Sequence, residues 1–180
     1  MRRKVGHCLL ELVQGDLTRE SVDAIVNAAN SQLAIGGGVD RAIHEAGGPA
    51  IHEETTRLYP QGCPTGQVVA STAGKLNAKF VFHAVGPVWA GGRQGEPEQL
   101  RSVYHESLRL AVEKQCESVA FPAISTGIYG YPTDRAAHES LETVIKFLKL
   151  NQAPHLVRIV LFGPGAYGAF SRVLQELLPE

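Results

Sequence analysis

Cysteine is scarce in this chain. Its 180 residues hold only Cys8, Cys63 and Cys116, an odd number with no close pair. That excludes a disulfide framework and a cysteine-rich zinc site. Long apolar runs are missing too; none approaches the roughly 20 residues needed to span a bilayer. The basic start Met1-Arg2-Arg3-Lys4 leads into an apolar stretch broken by Glu11, Gln14 and Asp16, so it does not read as a signal peptide. A surplus of either charge is absent: 17 Lys and Arg stand against 18 Asp and Glu, a formal charge of −1. A protein that neutralises many nucleic-acid phosphates is usually more basic, so that role is disfavoured. No internal repeat or low-complexity segment stands out. The expectation is a cytoplasmic protein with no membrane contact.

What is present is the material of a globular core. Hydrophobic residues make up 44% of the chain and charged residues 19%. A chain of this length buries about 70% of its unfolded surface, enough for one domain over residues 1–180 without staples. Short apolar runs suit buried strands: His7–Val13, Ala24–Asn27, Gln67–Ser71, Phe80–Val85, Ser118–Phe121 and Arg158–Phe162. Helical stripes lie between them. Val39, Ala42, Ile43 and Ala46 share one face. Leu100, Val103, Tyr104, Leu108, Ala111 and Val112 form a longer stripe. Leu141, Val144, Ile145 and Leu148 form a third, and Phe170, Val173, Leu174 and Leu177 the last. This alternation implies α/β layers around a largely parallel sheet. In such sheets ligands bind beyond the carboxyl ends of strands.

Four segments occupy such ends. Gly15-Asp16-Leu17-Thr18 follows the first predicted strand. Asp16 reads either as a cap on a short helix near Thr18–Ser21 or as an acceptor for an exocyclic amine such as adenine N6. Asn27-Ala28-Ala29-Asn30 ends the second strand; its amides suit Asx-turns or a ribose diol. Gly36-Gly37-Gly38-Val39-Asp40 leads into a helix expected over Arg41–Ala46. Its glycines are either plain turns or a phosphate cradle at a helix N-terminus. The Lys-Ser/Thr of a P-loop and the G-x-G-x-x-G spacing are both missing, which disfavours Mg-nucleotide hydrolysis and dinucleotide binding. Ser125-Thr126-Gly127-Ile128-Tyr129-Gly130 is a second glycine-bearing loop, with a helix expected near Thr133. Two such loops could grip a diphosphate with backbone donors, each hydrogen bond to a charged group contributing about 1.5–3 kcal/mol.

Together with Val22-Asp23-Ala24-Ile25-Val26, Ala42-Ile43-His44, Val81-Phe82-His83-Ala84-Val85-Gly86-Pro87 and Ala120-Phe121-Pro122-Ala123-Ile124, these segments resemble a macro domain. The resemblance is closest to the MacroD-type branch, which includes bacterial O-acetyl-ADP-ribose deacetylases. It implies a three-layer α/β/α sandwich with a central mixed, largely parallel sheet, and ADP-ribose as ligand. Asp16 then matches the adenine-binding aspartate, with Leu17 beside it. Asn30 matches the asparagine on the distal ribose, with Asn27 close by. Gly37, Gly38 and Val39 match the loop near the distal ribose and diphosphate. Ser125, Thr126, Gly127, Ile128 and Tyr129 match the second phosphate loop. Phe162 matches an aromatic stacked on adenine; otherwise it is a core residue. Two departures stand out: Ile35 where many relatives carry a further glycine, and Gly163-Pro164-Gly165 after the last strand.

The implied reaction is hydrolysis of an ester at the distal ribose, with O-acetyl-ADP-ribose or mono-ADP-ribosylated proteins as partners, no cofactor and no metal. Nucleic acid enters only as ADP-ribosylated ends. In this reading Asp40 orients or deprotonates a water, and the nearby diphosphate raises its pKa. Otherwise Asp40 complements a helix N-terminus. His44, one turn on, either tunes Asp40 or is a structural donor. His83, mid-strand, reads as packed core. The alternative to an enzyme is an ADP-ribose reader without chemistry, for which no base at position 40 is needed.

Overall fold

The computed structural model describes residues Met1–Glu180. In chain order the elements are β1 (Arg2–Val5), β2 (Cys8–Gln14), a 3₁₀ turn (Leu17–Arg19), β3 (Ala24–Ala29), α1 (Gly38–Gly47) and α2 (Ala50–Leu58). They continue with β4 (Val68–Thr72), β5 (Phe80–Val85), α3 (Glu96–Glu113), β6 (Ser118–Phe121), α4 (Thr133–Asn151), β7 (Leu156–Leu161) and α5 (Pro164–Leu177). One seven-stranded sheet has the order β1-β2-β7-β6-β3-β5-β4. The five central strands are parallel; β1 and β4 cap the two edges antiparallel. The sheet is therefore mixed and largely parallel, as expected. No helix is long and apolar enough to cross a membrane.

Period-2 alternation explains the three layers. In β3, Ala24 and Val26 face the larger core with α3, α4 and α5, while Ile25 faces a smaller one with Ile43 of α1 and Ile51 of α2. The same split recurs at Phe82 and Ala84 against Val81 in β5. Phe121, Phe170, Leu100 and Tyr104 are fully enclosed in the larger core.

The structure adds two elements and shifts several boundaries. β1 reads Arg-Arg-Lys-Val and carries no apolar run; Arg3 is nonetheless buried, its guanidinium donating to the Leu178 carbonyl and to Gln175. α2 buries only Ile51 and Thr55, too thin a stripe to register as amphipathic. β7 runs from Leu156 and stops at Leu161, leaving Phe162 outside it. α1 begins at Gly38, three residues before the predicted start. Its buried face also differs. Asp40, Ile43, His44 and Gly47 are buried, whereas Ala46 is exposed and Val39 and Ala42 are only half covered. Polar Asp40 and His44 can turn inward because partners await them there.

The loop before α3 is built on a carboxylate. Glu96 is 1% exposed and accepts from the Ala90, Gly92 and Gln94 amides at 2.8, 2.9 and 2.6 Å. Those amides outweigh the cost of desolvation and hold its pKa down to about 2. The same loop reaches the phosphate-loop candidate, because the Trp89 amide donates to the Tyr129 carbonyl at 2.8 Å.

Candidate functional site

The ends of β2, β3, β6 and β7 converge on one cavity of about 750 Å³. That lies within the common range of small-molecule sites, about 300–1,000 Å³. Asp16, Leu17, Asn30, Gly37, Gly38, Val39 and Asp40 line it, as do Ser125, Thr126, Gly127, Ile128, Tyr129 and Phe162. Every sequence-predicted ligand contact therefore sits on this wall. Two predicted residues do not: Asn27 and His44 lie behind Asp40, buried away from the cavity. The lining also includes Ala28 and Gly86, from the Asn27–Asn30 and Val81–Pro87 segments, and Val160 and Ala166, apolar residues whose composition carried no signal.

Asp16 performs the capping half of its predicted roles. Its Oδ1 accepts from the Thr18 amide at 2.9 Å and from Thr18 Oγ1 at 2.7 Å. These bonds hold its pKa below the usual carboxylate range. Oδ2 keeps only a distant Arg19, at 3.9 Å, so one carboxylate oxygen remains open as an acceptor. Asn30 folds its own loop: Nδ2 donates to the Ala34 carbonyl at 2.8 Å, and Oδ1 accepts from the Ala34 amide at 3.1 Å. Each of those atoms retains one further hydrogen-bonding position. Phe162 is 91% exposed, which removes the core-residue alternative and leaves an aromatic face free at the cavity rim. Gly163 and Pro164 beside it start α5, the glycine at φ 100° and the proline in the first turn, where no amide is missed.

The two glycine loops differ in construction. Gly37 caps α1 without a side-chain hydrogen bond, and Gly38 has φ 59°, a left-handed value that disfavours any other residue. The first-turn amides of α1 therefore face the cavity without a side-chain cap. The second loop is braced from below by Tyr104, whose hydroxyl donates to the Pro122 carbonyl at 3.0 Å and accepts from the Ile124 amide at 3.2 Å. Ser125 adopts φ 69°, and its buried Oγ has no partner. Ile128, 91% exposed, hangs over the cavity near Gly37, so the two loops almost meet.

Asp40 is the chemical centre of the wall. It is 5% exposed. Its Oδ2 accepts from the Gly36 amide at 2.7 Å; its Oδ1 accepts from Asn27 Nδ2 at 2.6 Å and lies 3.4 Å from His44 Nε2. Burial alone would raise its pKa, but His44, Asn27 and the Gly36 amide together bring it below the ordinary carboxylate range. In the free protein Asp40 is thus a well-held carboxylate; the raised value expected beside a diphosphate is a property of the complex. Behind it, Asn27 Nδ2 also reaches His83 Nδ1 at 3.1 Å, and His83 Nε2 lies 2.8 Å from Ser71 Oγ. His83 is buried as predicted, yet it is no inert core residue, since both ring nitrogens are engaged. Burial and the neighbouring His44 hold its pKa down to about 4, so the ring is neutral at pH 7. Ser71 gave no sequence signal; only β4–β5 pairing brings it there.

The chain is similar to known proteins over nearly its whole length. The chain is 50% identical over 170 residues to a macro domain-containing protein of Caldanaerobacter subterraneus subsp. tengcongensis, covering 93% of this chain and 97% of that one. It is 46% identical over 169 residues to the O-acetyl-ADP-ribose deacetylase of Escherichia coli K12, covering 93% and 96%. The Oceanobacillus iheyensis macrodomain solved with ADP superposes with a TM-score of 0.93 at 40% identity, over 99% of this chain and 96% of that one. The macro domain model matches residues 26–139, the stretch that carries Asn30, both glycine loops and Asp40, and the chain belongs to the macro domain family.

Proposed function

We propose that residues 1–180 act as one macro domain that binds ADP-ribose and hydrolyses ester bonds at its distal ribose. The substrates are O-acetyl-ADP-ribose and mono-ADP-ribose carried on acidic side chains. The observation that carries this reading is the Asp40 carboxylate in the cavity wall beside both glycine loops, fixed by the Asn27 and Gly36 donors with His44 3.4 Å away. A module that only bound the nucleotide would have no use for an ionised acid facing the same cavity as a diphosphate. The name of the Escherichia coli relative and the ADP of the Oceanobacillus structure support the same reading.

Adenine would lie between Phe162 and the open Asp16 oxygen, and the diphosphate between the Gly36–Gly38 and Ser125–Tyr129 loops. Asn30 would then meet the distal ribose with its remaining donor and acceptor. Asp40 orients a water and takes its proton as the oxygen attacks the ester carbonyl. The bond from that carbon to the ribose oxygen breaks, and the proton goes to the ribose hydroxyl. Products are ADP-ribose and the free carboxylic acid. No step calls on a metal.

Turnover of O-acetyl-ADP-ribose and of an ADP-ribosylated glutamate peptide tests this. A positioned general base typically contributes about 10²–10⁴-fold, so Asp40→Ala should lose that much while still binding ADP-ribose. EDTA should change nothing, and ADP-ribosylated arginine should be a poor substrate. Tight binding by the wild-type protein with no turnover of either ester would leave the reader role instead.

A further inference from the structure

We propose that His83 is a positioning residue for Asp40, acting through Asn27. The argument rests on the hydrolase reading above only for its consequence in turnover; the geometry stands apart from it.

The arrangement crosses three neighbouring strands on one face of the sheet. Asn27 of β3 and His83 of β5 are direct register partners. Ser71 of β4 pairs with Val81, one diagonal step from His83. Hydrogens can be assigned along the whole row. Ser71 Oγ donates to the Thr72 carbonyl at 2.9 Å, so toward His83 it can only accept. His83 must then carry its hydrogen on Nε2, leaving Nδ1 as an acceptor. Asn27 thus faces two acceptors, His83 Nδ1 and Asp40 Oδ1, and its amide nitrogen has one hydrogen for each. Turned over, the amide would set its oxygen against a carboxylate and an imidazole lone pair. The price of the chosen orientation is visible: Asn27 Oδ1 is buried without a partner. A buried acceptor left idle costs about 1–3 kcal/mol. Apart from Asp40 itself, the side chain that holds the amide in that pose is His83, whose ring is fixed in turn by Ser71.

Asp40 gains from this a donor directly behind Oδ1, which keeps the carboxylate ionised and its other lone pairs aimed at the cavity. The titratable groups around it are His44 on its own helix, His83 on β5 and, beyond His44, His52 of α2 with ring centres 5.9 Å apart. His44 stacks on His83 with ring centres 6.3 Å apart, so His44 is titrated beside Asp40 in every variant below, and a shift in Asp40 with His44 unmoved reports on the row. Groups that orient the ligands of a metal typically change affinity or activity about 10- to 100-fold when removed, and a side chain that positions a carboxylate base is expected to act on the same scale.

The experiment follows the Asp40 carboxyl by ¹³C NMR titration in wild type, His83→Phe and His83→Asn, with steady-state kinetics on O-acetyl-ADP-ribose alongside. Phenylalanine fills the space and offers no acceptor; asparagine can place an oxygen where Nδ1 was. Asp40 should titrate higher in His83→Phe and near its wild-type midpoint in His83→Asn. The first variant should lose about 10- to 100-fold in kcat with KM within twofold, and the second should keep most of it. Coincident Asp40 titrations in wild type and His83→Phe overturn the proposal, as does a His83→Asn variant no better than His83→Phe. The carboxyl titration decides this even if the ester is not turned over, an outcome that sinks the hydrolase reading alone. Should His83→Phe fail to fold, Ser71→Ala removes the Nε2–H acceptor with a smaller change and must move Asp40 the same way. A ¹⁵N spectrum of the wild type placing the His83 hydrogen on Nδ1 refutes the assignment outright.

Discussion

Adding one methyl group at Gly86 should damage the site. Gly86 follows β5 directly, and the phosphate-loop candidate lies on top of it. A Cβ built there would meet Ser125 Oγ at 2.3 Å and Ile124 Cγ2 at 2.6 Å, where ordinary contacts begin at 3.4 Å. Neither atom can swing away freely. The Ser125 hydroxyl is buried, and the Ile124 methyl belongs to a branched side chain in the main core. Gly86→Ala therefore requires the loop to move by about 1 Å, a typical overpacking cost of about 1–3 kcal/mol. Charge-assisted hydrogen bonds span about 2.7–2.9 Å, so a 1 Å shift removes a donor from a diphosphate oxygen. One such bond contributes about 2 kcal/mol, or roughly 30-fold in affinity. The assay is calorimetry with ADP-ribose beside urea unfolding of the same protein. Gly86→Ala/Ser125→Gly should recover part of both losses, since it deletes one clashing atom and relieves a left-handed serine, while Ile124 still presses. An alanine variant that binds within threefold of wild type and unfolds at the same urea concentration would refute the reasoning.

Two further predictions concern the rest of the wall. Phe162→Ala should leave stability within about 0.5 kcal/mol, because the ring is almost wholly in water. It should nonetheless cost about 1–3 kcal/mol of ADP-ribose affinity if adenine stacks there, measured by calorimetry, and much less for ribose 5-phosphate. The pH dependence of turnover should have two different acid limbs. The kcat/KM limb reports the free protein, where Asp40 lies below the ordinary carboxylate range, and the kcat limb reports the complex, where the diphosphate disfavours the anion. Activity is present above each midpoint and lost as pH falls through it, with the kcat limb at higher pH; limbs that coincide would contradict this.

The legible part of the protein was the part whose chemistry is local. Glycine clusters, the paired asparagines and the Ser-Thr-Gly run each sit at the end of an apolar strand, so the rule for parallel sheets placed them together before any coordinates. Strands β5 and β6 read off to the residue for the same reason. β1 was not legible because an edge strand needs one buried face and can spend the rest on arginine and lysine. The buried face of α1 was misread because apolar periodicity assumes that polar residues point outward. Asp40 and His44 point inward, with Val39 and Ala42 left to line the cavity. Ser71 and His83 belong to the same class of miss. Their meeting depends on strand register across β4 and β5, a fact that no spacing within the chain encodes.

A chain of net charge −1 would have to solve one electrostatic problem twice to grip a diphosphate beside a carboxylate. Two unit negative charges about 5 Å apart repel by about 3 kcal/mol at an effective dielectric of about 20. Lysine or arginine could offset that, and none lines the cavity. The protein uses oriented dipoles instead. Asp40 is held ionised by the Gly36 amide and by Asn27, with His44 close by, donors of about 1.5–3 kcal/mol each toward a charge. The diphosphate would be held by the uncapped amides of α1 and the braced loop after β6. Dipoles fixed in a folded backbone cannot follow a ligand that sits differently, as a flexible cation can. Recognition at this site then depends on the exact path of two loops rather than on charge, and the neutral balance of the sequence, which disfavours a nucleic-acid binder, is what such a site leaves behind.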